Sequence, residues 1–274
     1  MNSNPQDGTS VKKYGLAFHT ATPELGLAIS NFAGDSRCQT WNLGRSLATD
    51  LHQHLVEFIG PQTWADLAFI AVAKGPGGFT GTRMGMVTAR TLAQQLDIPV
   101  FAISTLAAVA WAAPPQPPLR KGGLLSAGPP LASEGLLSVP PPQLPLAKEG
   151  LLSAEPPLAK GGLLNTEPPV AKEGRLSIAL QMPAQRGQLF GAVYSVNKDS
   201  GLTELFPDTV MTAESWQEKL ESWENSYQLI EVGSELGWSV SSVLELAYLE
   251  WKQGNRPAWS DALPYYGQHP VQGK

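Results

Sequence analysis

Residues 74–86, KGPGGFTGTRMGM, gather the side chains and backbone best suited to meet a ligand. Gly75, Gly77, Gly78 and Gly81 admit positive φ and close backbone approach, and Pro76 stiffens the turn. The stretch lies between an apolar run, 67–73 (LAFIAVA), and a helical pattern over 82–96. Open α/β sheets hold ligands at such a strand-to-helix crossing. Exposed amides and the helix N-terminus could cradle a phosphate there. The pattern is not a Walker loop, because no Gly-Lys-Ser/Thr follows, and its spacing is not that of GxGxxG. A tight crossing with no ligand needs the same glycines, so on physical grounds the two uses stand level.

Other residue types capable of chemistry are poorly placed. His52 and His54 fall two apart on a helical segment, where side chains point roughly 200° from one another. Such a pair cannot hold a metal together on a regular helix. Cys38 is the single cysteine, which excludes an internal disulfide and a CxxC site and suits a reducing compartment. It reads as a small, partly buried apolar residue. Ser104, Ser177 and Ser195 stand in no GxSxG elbow. Trp216, Trp223, Trp238, Trp251 and Trp259 cluster late in the chain and read as packing residues.

The 274-residue chain has 42% hydrophobic and 16% charged residues and a net charge of -5. It can bury a sizeable core. Direct nucleic-acid binding draws on clusters of Lys and Arg, and no such cluster is present. Any RNA contact is therefore expected only through a partner. The first residues lack the apolar core of a secretion signal. Apolar runs such as 67–73 and 100–113 fall short of the roughly 20 residues that span a bilayer. A cytoplasmic protein with no membrane contact is the expectation.

The elements that must carry the glycine stretch alternate. Residues 14–21 and 24–32 read as a strand hairpin turning at Thr22-Pro23, and 36–43 as a third strand. Residues 45–59 have helical spacing, with Leu47, Leu51, Leu55 and Phe58 on one face. After the loop and the 82–96 helix, 100–103 is a strand, and Ser104 caps a helix starting at Thr105. The pattern resumes with strands at 176–181 and 188–196, a helix at 212–223, a strand at 227–232 and a helix at 239–251. Residues 1–13 read as a flexible N-terminus, 14–113 as one subdomain and 176–274 as a second.

Between them, residues 114–175 hold fourteen of the 24 prolines and repeat a unit of about twelve residues: PPLRKGGLLSAG, PPLASEGLLSVP, PPQLPLAKEGLLSAE, PPLAKGGLLNTE, PPVAKEGRLS. The copies offer at most one Leu-Leu pair each, and Pro-Pro removes two backbone donors, against an ordering cost of about 1–2 kcal/mol per residue. The segment is expected to be an insertion without fixed structure, tolerated because loop-closure cost grows slowly with length. Its deletion is expected to change neither stability nor function. A proline-rich ligand for another protein is the competing use.

The 74–86 string resembles the GPGSFTGLRIG motif of the TsaB (YeaZ) family, with Gly78 in place of Ser and Thr82 in place of Leu. The flanks are similar too. Residues 16–22 (LAFHTAT) match the family's LAIDTAT, 98–107 (IPVFAISTLA) match IPLVGVSTLE, and 184–194 (AQRGQLFGAVY) match ARRGEVYWALY. The resemblance implies an α/β fold of the ribonuclease-H-like, actin-like ATPase type, with two related subdomains of mixed sheets and crossover helices. It also implies a non-catalytic subunit that binds and activates TsaD, with the ATPase TsaE as a third component. Together these form N6-threonylcarbamoyladenosine at position 37 of tRNAs reading ANN codons.

The departures bear on chemistry. The family's first-strand aspartate corresponds to His19, and the second-half aspartate aligns with Pro183. A neutral imidazole is a poor substitute for a hard oxygen ligand to Mg2+, and proline has no ligating side chain. No cofactor is expected on this chain alone; ATP or ADP and a metal ion belong to the partner subunits. In the family the two subunits meet through their first two helices, which map onto 45–59 and 82–96. Gly81, Gly85 and Ala89 stand four apart as a stripe on which another helix could lie, with Met84, Met86 and Val87 as adaptable apolar surface. The expected contact set is Gly75, Pro76, Gly77, Gly78, Phe79, Thr80, Gly81, Arg83, Met84, Gly85, Val87 and Thr88, and Gly85→Trp is expected to abolish TsaD binding in a folded monomer. Competing functions are a glycoprotease-like endopeptidase, a stand-alone sugar-kinase-like ATPase and a homodimeric scaffold. The first needs a metal pair or activated nucleophile, and His19 and Pro183 disfavour the second.

Overall fold

The computed structural model describes residues 13–113, 177–197 and 201–267, together with the backbone of 124–127. The expected flexible N-terminus and most of the repeat segment lie outside the described residues. The element order is β1 (Tyr14–His19), β2 (Glu24–Ser30), β3 (Ser36–Asn42), α1 (Leu47–Ile59), β4 (Leu67–Ala73), α2 (Phe79–Leu96), β5 (Val100–Ile103) and α3 (Thr105–Ala112). It continues with β6 (Leu124–Ala127), β7 (Ser177–Pro183), β8 (Gln188–Asn197), β9 (Gly201–Thr212), α4 (Ala213–Glu221), β10 (Tyr227–Val232) and α5 (Val240–Lys252).

The strands form two five-stranded sheets, ordered β3-β2-β1-β4-β5 and β9-β8-β7-β10-β6. In each, an antiparallel meander of three strands runs into parallel pairs, β1 with β4 and β4 with β5, then β7 with β10 and β10 with β6. The second sheet thus repeats the plan of the first. The α/β expectation of two related mixed sheets holds.

Side-chain alternation assigns the layers, since neighbouring residues of a strand face opposite ways. Leu16, Phe18, Ile70 and Val72 pack outward against Leu51 and Leu55 of α1 and Met86, Ala89 and Ala93 of α2. Ala17, Phe69 and Ala71 face inward to a second cluster with α3, α5 and the inner residues Ile178, Leu180 and Tyr194 of the other sheet. Seven of the eight α3 residues are buried, as a helix apolar on all sides must be. Ala179 and Val193 turn to the far side, under Trp216 and Leu220 of α4. The result is five layers: α1 and α2, first sheet, α3 and α5, second sheet, α4.

Three expectations change. The α2 helix begins at Phe79, a turn before Thr82, because Gly78 is extended (φ -64, ψ 126) and serves as its N-cap. The twelve-residue strand β9, absent from the expected elements, carries Pro207 and no sustained alternation of apolar residues; it lies at a sheet edge, where proline is tolerated. Finally, Leu124–Ala127, inside the segment expected to lack structure, is a strand pairing with Leu229–Val232. The reason is local: this stretch has no proline and meets an open strand edge.

Candidate functional site

The glycine stretch is fastened to the scaffold largely through its own backbone. The Gly78 N–H donates to the Ala21 carbonyl (2.7 Å), the Thr105 N–H to the Gly75 carbonyl (2.9 Å) and the Tyr265 N–H to the Lys74 carbonyl (2.7 Å). Gly75 turns with φ of +100°, a region that favours glycine. A Cβ on Gly77 would lie 2.2 Å from the Ala21 carbonyl oxygen, and one on Gly81 2.1 Å from that of Thr20. The Thr20 hydroxyl donates to the Gly81 carbonyl at 2.9 Å. These glycines therefore let the crossing sit tightly on the turn after β1. Of the two uses left level by the sequence, the tight crossing is the one the hydrogen bonds express, since the Gly78 amide is already engaged by protein.

A buried polar cluster holds the far side of the loop. Ser104, as expected, caps α3 by accepting from the Ala107 N–H (3.1 Å). Its hydroxyl and that of Tyr194 both donate to Asp208, at 2.5 and 2.6 Å. Tyr265 donates to the Asp208 carbonyl. Burial raises the Asp208 carboxyl and the Tyr194 phenol above their ordinary values. Asp208 reaches inward because the β8–β9 register shifts beside it, Gly191 facing Thr209 while Val193 faces Phe206. Nothing in local sequence pattern announces an aspartate aimed inward by a bulge.

Beside the loop lies a cleft of about 390 Å3 lined by Gly77, Gly78, Phe79, Pro183, Arg186 and Tyr266, among others. Phe79 and Tyr266 pack ring to ring at 4.5 Å. Arg186 is the charged side chain in this lining, and among the described residues no carboxylate or imidazole joins it. His19 is fully buried with neither ring nitrogen hydrogen-bonded, and burial lowers its pKa to about 4. It is neutral at pH 7 and does not line the cleft. The residues at the two family aspartate positions therefore do not fit a metal-phosphate complex.

The expected contact residues separate into three groups on α2 and its loop. Gly85 is buried, with a Cβ there only 2.1 Å from Thr20 Oγ1; Met86 and Ala89 are also buried in their own core. The small-residue stripe thus faces the first sheet, which corrects its reading as a partner-facing surface. The spacing of four fits any close approach, and the turn at Thr20 supplies it. Gly75 and Pro76 are buried, while Gly78, Thr80 and Arg83 are exposed. Met84, Val87 and Thr88 lie elsewhere: with Thr91 and Leu92 they line an apolar groove of about 320 Å3 shared with His52, Leu55 and Val56 of α1 and with Trp64. Val56 is 62% exposed and Val87 55%. The α1 half of this groove and Trp64 were missing from the residue-level expectation, although the helix pair was in it.

The two histidines of α1 diverge as their spacing requires. His52 lines the groove, and the His54 ring packs on Trp41 at 4.6 Å. Cys38 is exposed on β3, not partly buried as expected. Its strand is the outer one of the sheet, with a solvent-facing side that hydrophobicity alone does not reveal.

The first sheet runs 3-2-1-4-5 in chain order, and the second repeats 3-2-1-4 but takes its outer strand from β6, ahead of its meander; with helices on both faces this is a fold of the actin-like ATPase type. A family model described as TsaD, tRNA N6-adenosine threonylcarbamoyltransferase, matches residues 59–128. The chain is 56% identical over 45 residues to the tRNA threonylcarbamoyladenosine biosynthesis protein TsaB of Bacillus subtilis, covering 16% of this chain and 20% of that protein. It is 48% identical over 48 residues to the TsaB of Buchnera aphidicola, covering 18% and 23%. The matched stretches thus span about a fifth of the length of these relatives. A Pseudomonas aeruginosa structure titled as similar to peptidase YEAZ superposes with a TM-score of 0.60 at 17% identity, covering 93% of this chain and all of that one. A second, titled YeaZ from the same organism, gives 0.59 at 17% and covers 92% and 100%. The chain is thus similar to TsaB proteins over a short stretch and shares the fold of the YeaZ structures.

Proposed function

We propose that this chain is the non-catalytic subunit of the assembly that forms N6-threonylcarbamoyladenosine in tRNA, and that it acts by docking a TsaD-type transferase on the α1–α2 face. The observation that carries the reading is the exposed apolar groove between α1 and α2, beside a cleft in which Arg186 is the charged group among the described residues. Val56 and Val87 expose branched apolar side chains on neighbouring helices, as surfaces that are covered in a complex do. ATP or ADP and the metal are assigned to the partner subunits, tRNA contact to the assembled complex and a TsaE-type ATPase to a third position in it. Such a role places the chain in the cytoplasm.

The same face could instead pair two copies of this chain, and one groove cannot serve both partners at once. Light scattering of the chain alone and mixed with the TsaD-type protein of its organism distinguishes them. A 1:1 heteromer forming at the expense of any homodimer is the expected result. The chain alone is expected to hydrolyse neither ATP nor peptides, and tRNA modification by the reconstituted set is expected to need it. Unchanged modification without this chain would contradict the proposal.

A further inference from the structure

A polar cavity of about 250 Å3 lies where β5, α3, α5 and the start of β9 meet. It shares no lining residue with the cleft at Phe79 or with the α1–α2 groove. Its charged groups come from three places in the fold. Lys74 follows β4, Glu204 stands on β9 opposite Tyr194, and Glu250 lies in the last turn of α5. Ser104 and Tyr194 form part of the wall, and their hydroxyls are already given to Asp208 behind it.

Lys74 is half-buried and within electrostatic reach of two carboxyls, Asp208 and Glu250. Burial raises both, and the ammonium draws both back. Among the described residues, however, Lys74 closes no direct ion pair with either of them or with Glu204. The cavity thus keeps an ammonium and two lining carboxylates apart across open space. Such an arrangement is complementary to a small molecule that carries both signs of charge a few ångströms apart.

The remaining wall limits what such a molecule can be. Ala107 and Leu246 are buried and Leu202 and Leu249 half-buried, so one side is apolar. The volume holds about eight water-sized groups at about 30 Å3 each, the size of a small amino acid. A plain amine would leave Lys74 unpaired and set a second cation beside it. A plain carboxylate would meet Glu204 and Glu250, and like charges brought together oppose binding.

We propose that this cavity binds a free α-amino acid with a small apolar side chain, its carboxylate on Lys74, its ammonium between Glu204 and Glu250, and its side chain against Leu246 and Leu249. The site is separate from the docking groove, so it is tested on the full-length chain alone, with no partner present.

Calorimetry and ligand-observed NMR follow titration with L-valine, L-alanine, isobutylamine (valine without its carboxylate) and isovalerate (valine without its amine). L-Valine is expected to bind with a Kd of about 1 mM or tighter. The amine and the acid are expected to bind at least tenfold more weakly, since each lacks one charge-assisted contact. K74M and E204Q should each weaken L-valine at least tenfold. Glu204 is exposed, so E204Q should keep its melting temperature within about 2 °C, which separates lost binding from lost fold. No saturable binding of either amino acid up to about 20 mM overturns the proposal. So does isobutylamine or isovalerate binding as tightly as L-valine, which would make the cavity a site for one sign of charge only. Unchanged L-valine affinity in a folded E204Q would place the ligand elsewhere and overturns it too.

Discussion

His19 is a fully buried imidazole with both nitrogens unpartnered and its pKa lowered to about 4. Its folded value lies below the unfolded one, so between pH 6.5 and about 4 the unfolded chain binds more protons. Stability from this residue is complete above pH 6.5 and is lost as pH falls through that window. Replacement by leucine removes the titration. Between pH 7 and 4.5, urea unfolding should show native protein losing roughly 2–3 kcal/mol more than H19L. Equal losses would mean that His19 is not buried neutral. Gly85 makes a second residue-level prediction. Its Cβ would collide with Thr20 Oγ1, so Gly85→Ala should cost about 1–3 kcal/mol. Gly85→Trp should prevent folding and so cannot report on binding.

At the scale of elements, the sequence disclosed what periodicity and punctuation encode. The α1 face of Leu47, Leu51, Leu55 and Phe58, the apolar run of β4 and the Ser104 cap all lie where expected. What stayed hidden depends on tertiary partners. The β9 strand exists because an edge accepts a proline-bearing segment, and β6 because β10 has a free side. The direction of the Gly81–Gly85–Ala89 stripe was equally illegible, since a stripe of small residues fits a sheet or a foreign helix alike. The acceptor that joins Ser104 to Tyr194 is Asp208, set by a bulge between β8 and β9. Asp208→Ala leaves the Ser104 and Tyr194 hydroxyls without their acceptor, and thermal or urea unfolding should show a loss of about 3 kcal/mol. A change under 1 kcal/mol would show the cluster to be incidental.

At the scale of the whole molecule, five layers bury the two sheets and leave α1 and α2 on one outer face. Those two helices bury one side in the first core and keep Val56 and Val87 in solvent. The family motif lies at the start of α2, so its glycines fix how that helix sits on the sheet and hence how the groove is presented. On the proposed reading, that links the motif to docking. The repeat segment divides in two by the same logic. Deleting 130–174 keeps Leu124–Ala127 and should leave the melting temperature within about 2 °C. Deleting 117–175 removes β6 and leaves the outer edge of β10 unpaired, and should lower it by several degrees.

The central claim, that the α1–α2 groove is the docking face, is tested most directly by calorimetric titration of the TsaD-type partner into the native chain and into V56E/V87E. Both substituted residues are solvent-exposed, so the variant should keep its melting temperature within about 2 °C, as surface changes do. Burying two carboxylates in an apolar contact should weaken binding at least a hundredfold. Native-like affinity in a folded V56E/V87E would place the partner elsewhere and contradict the account.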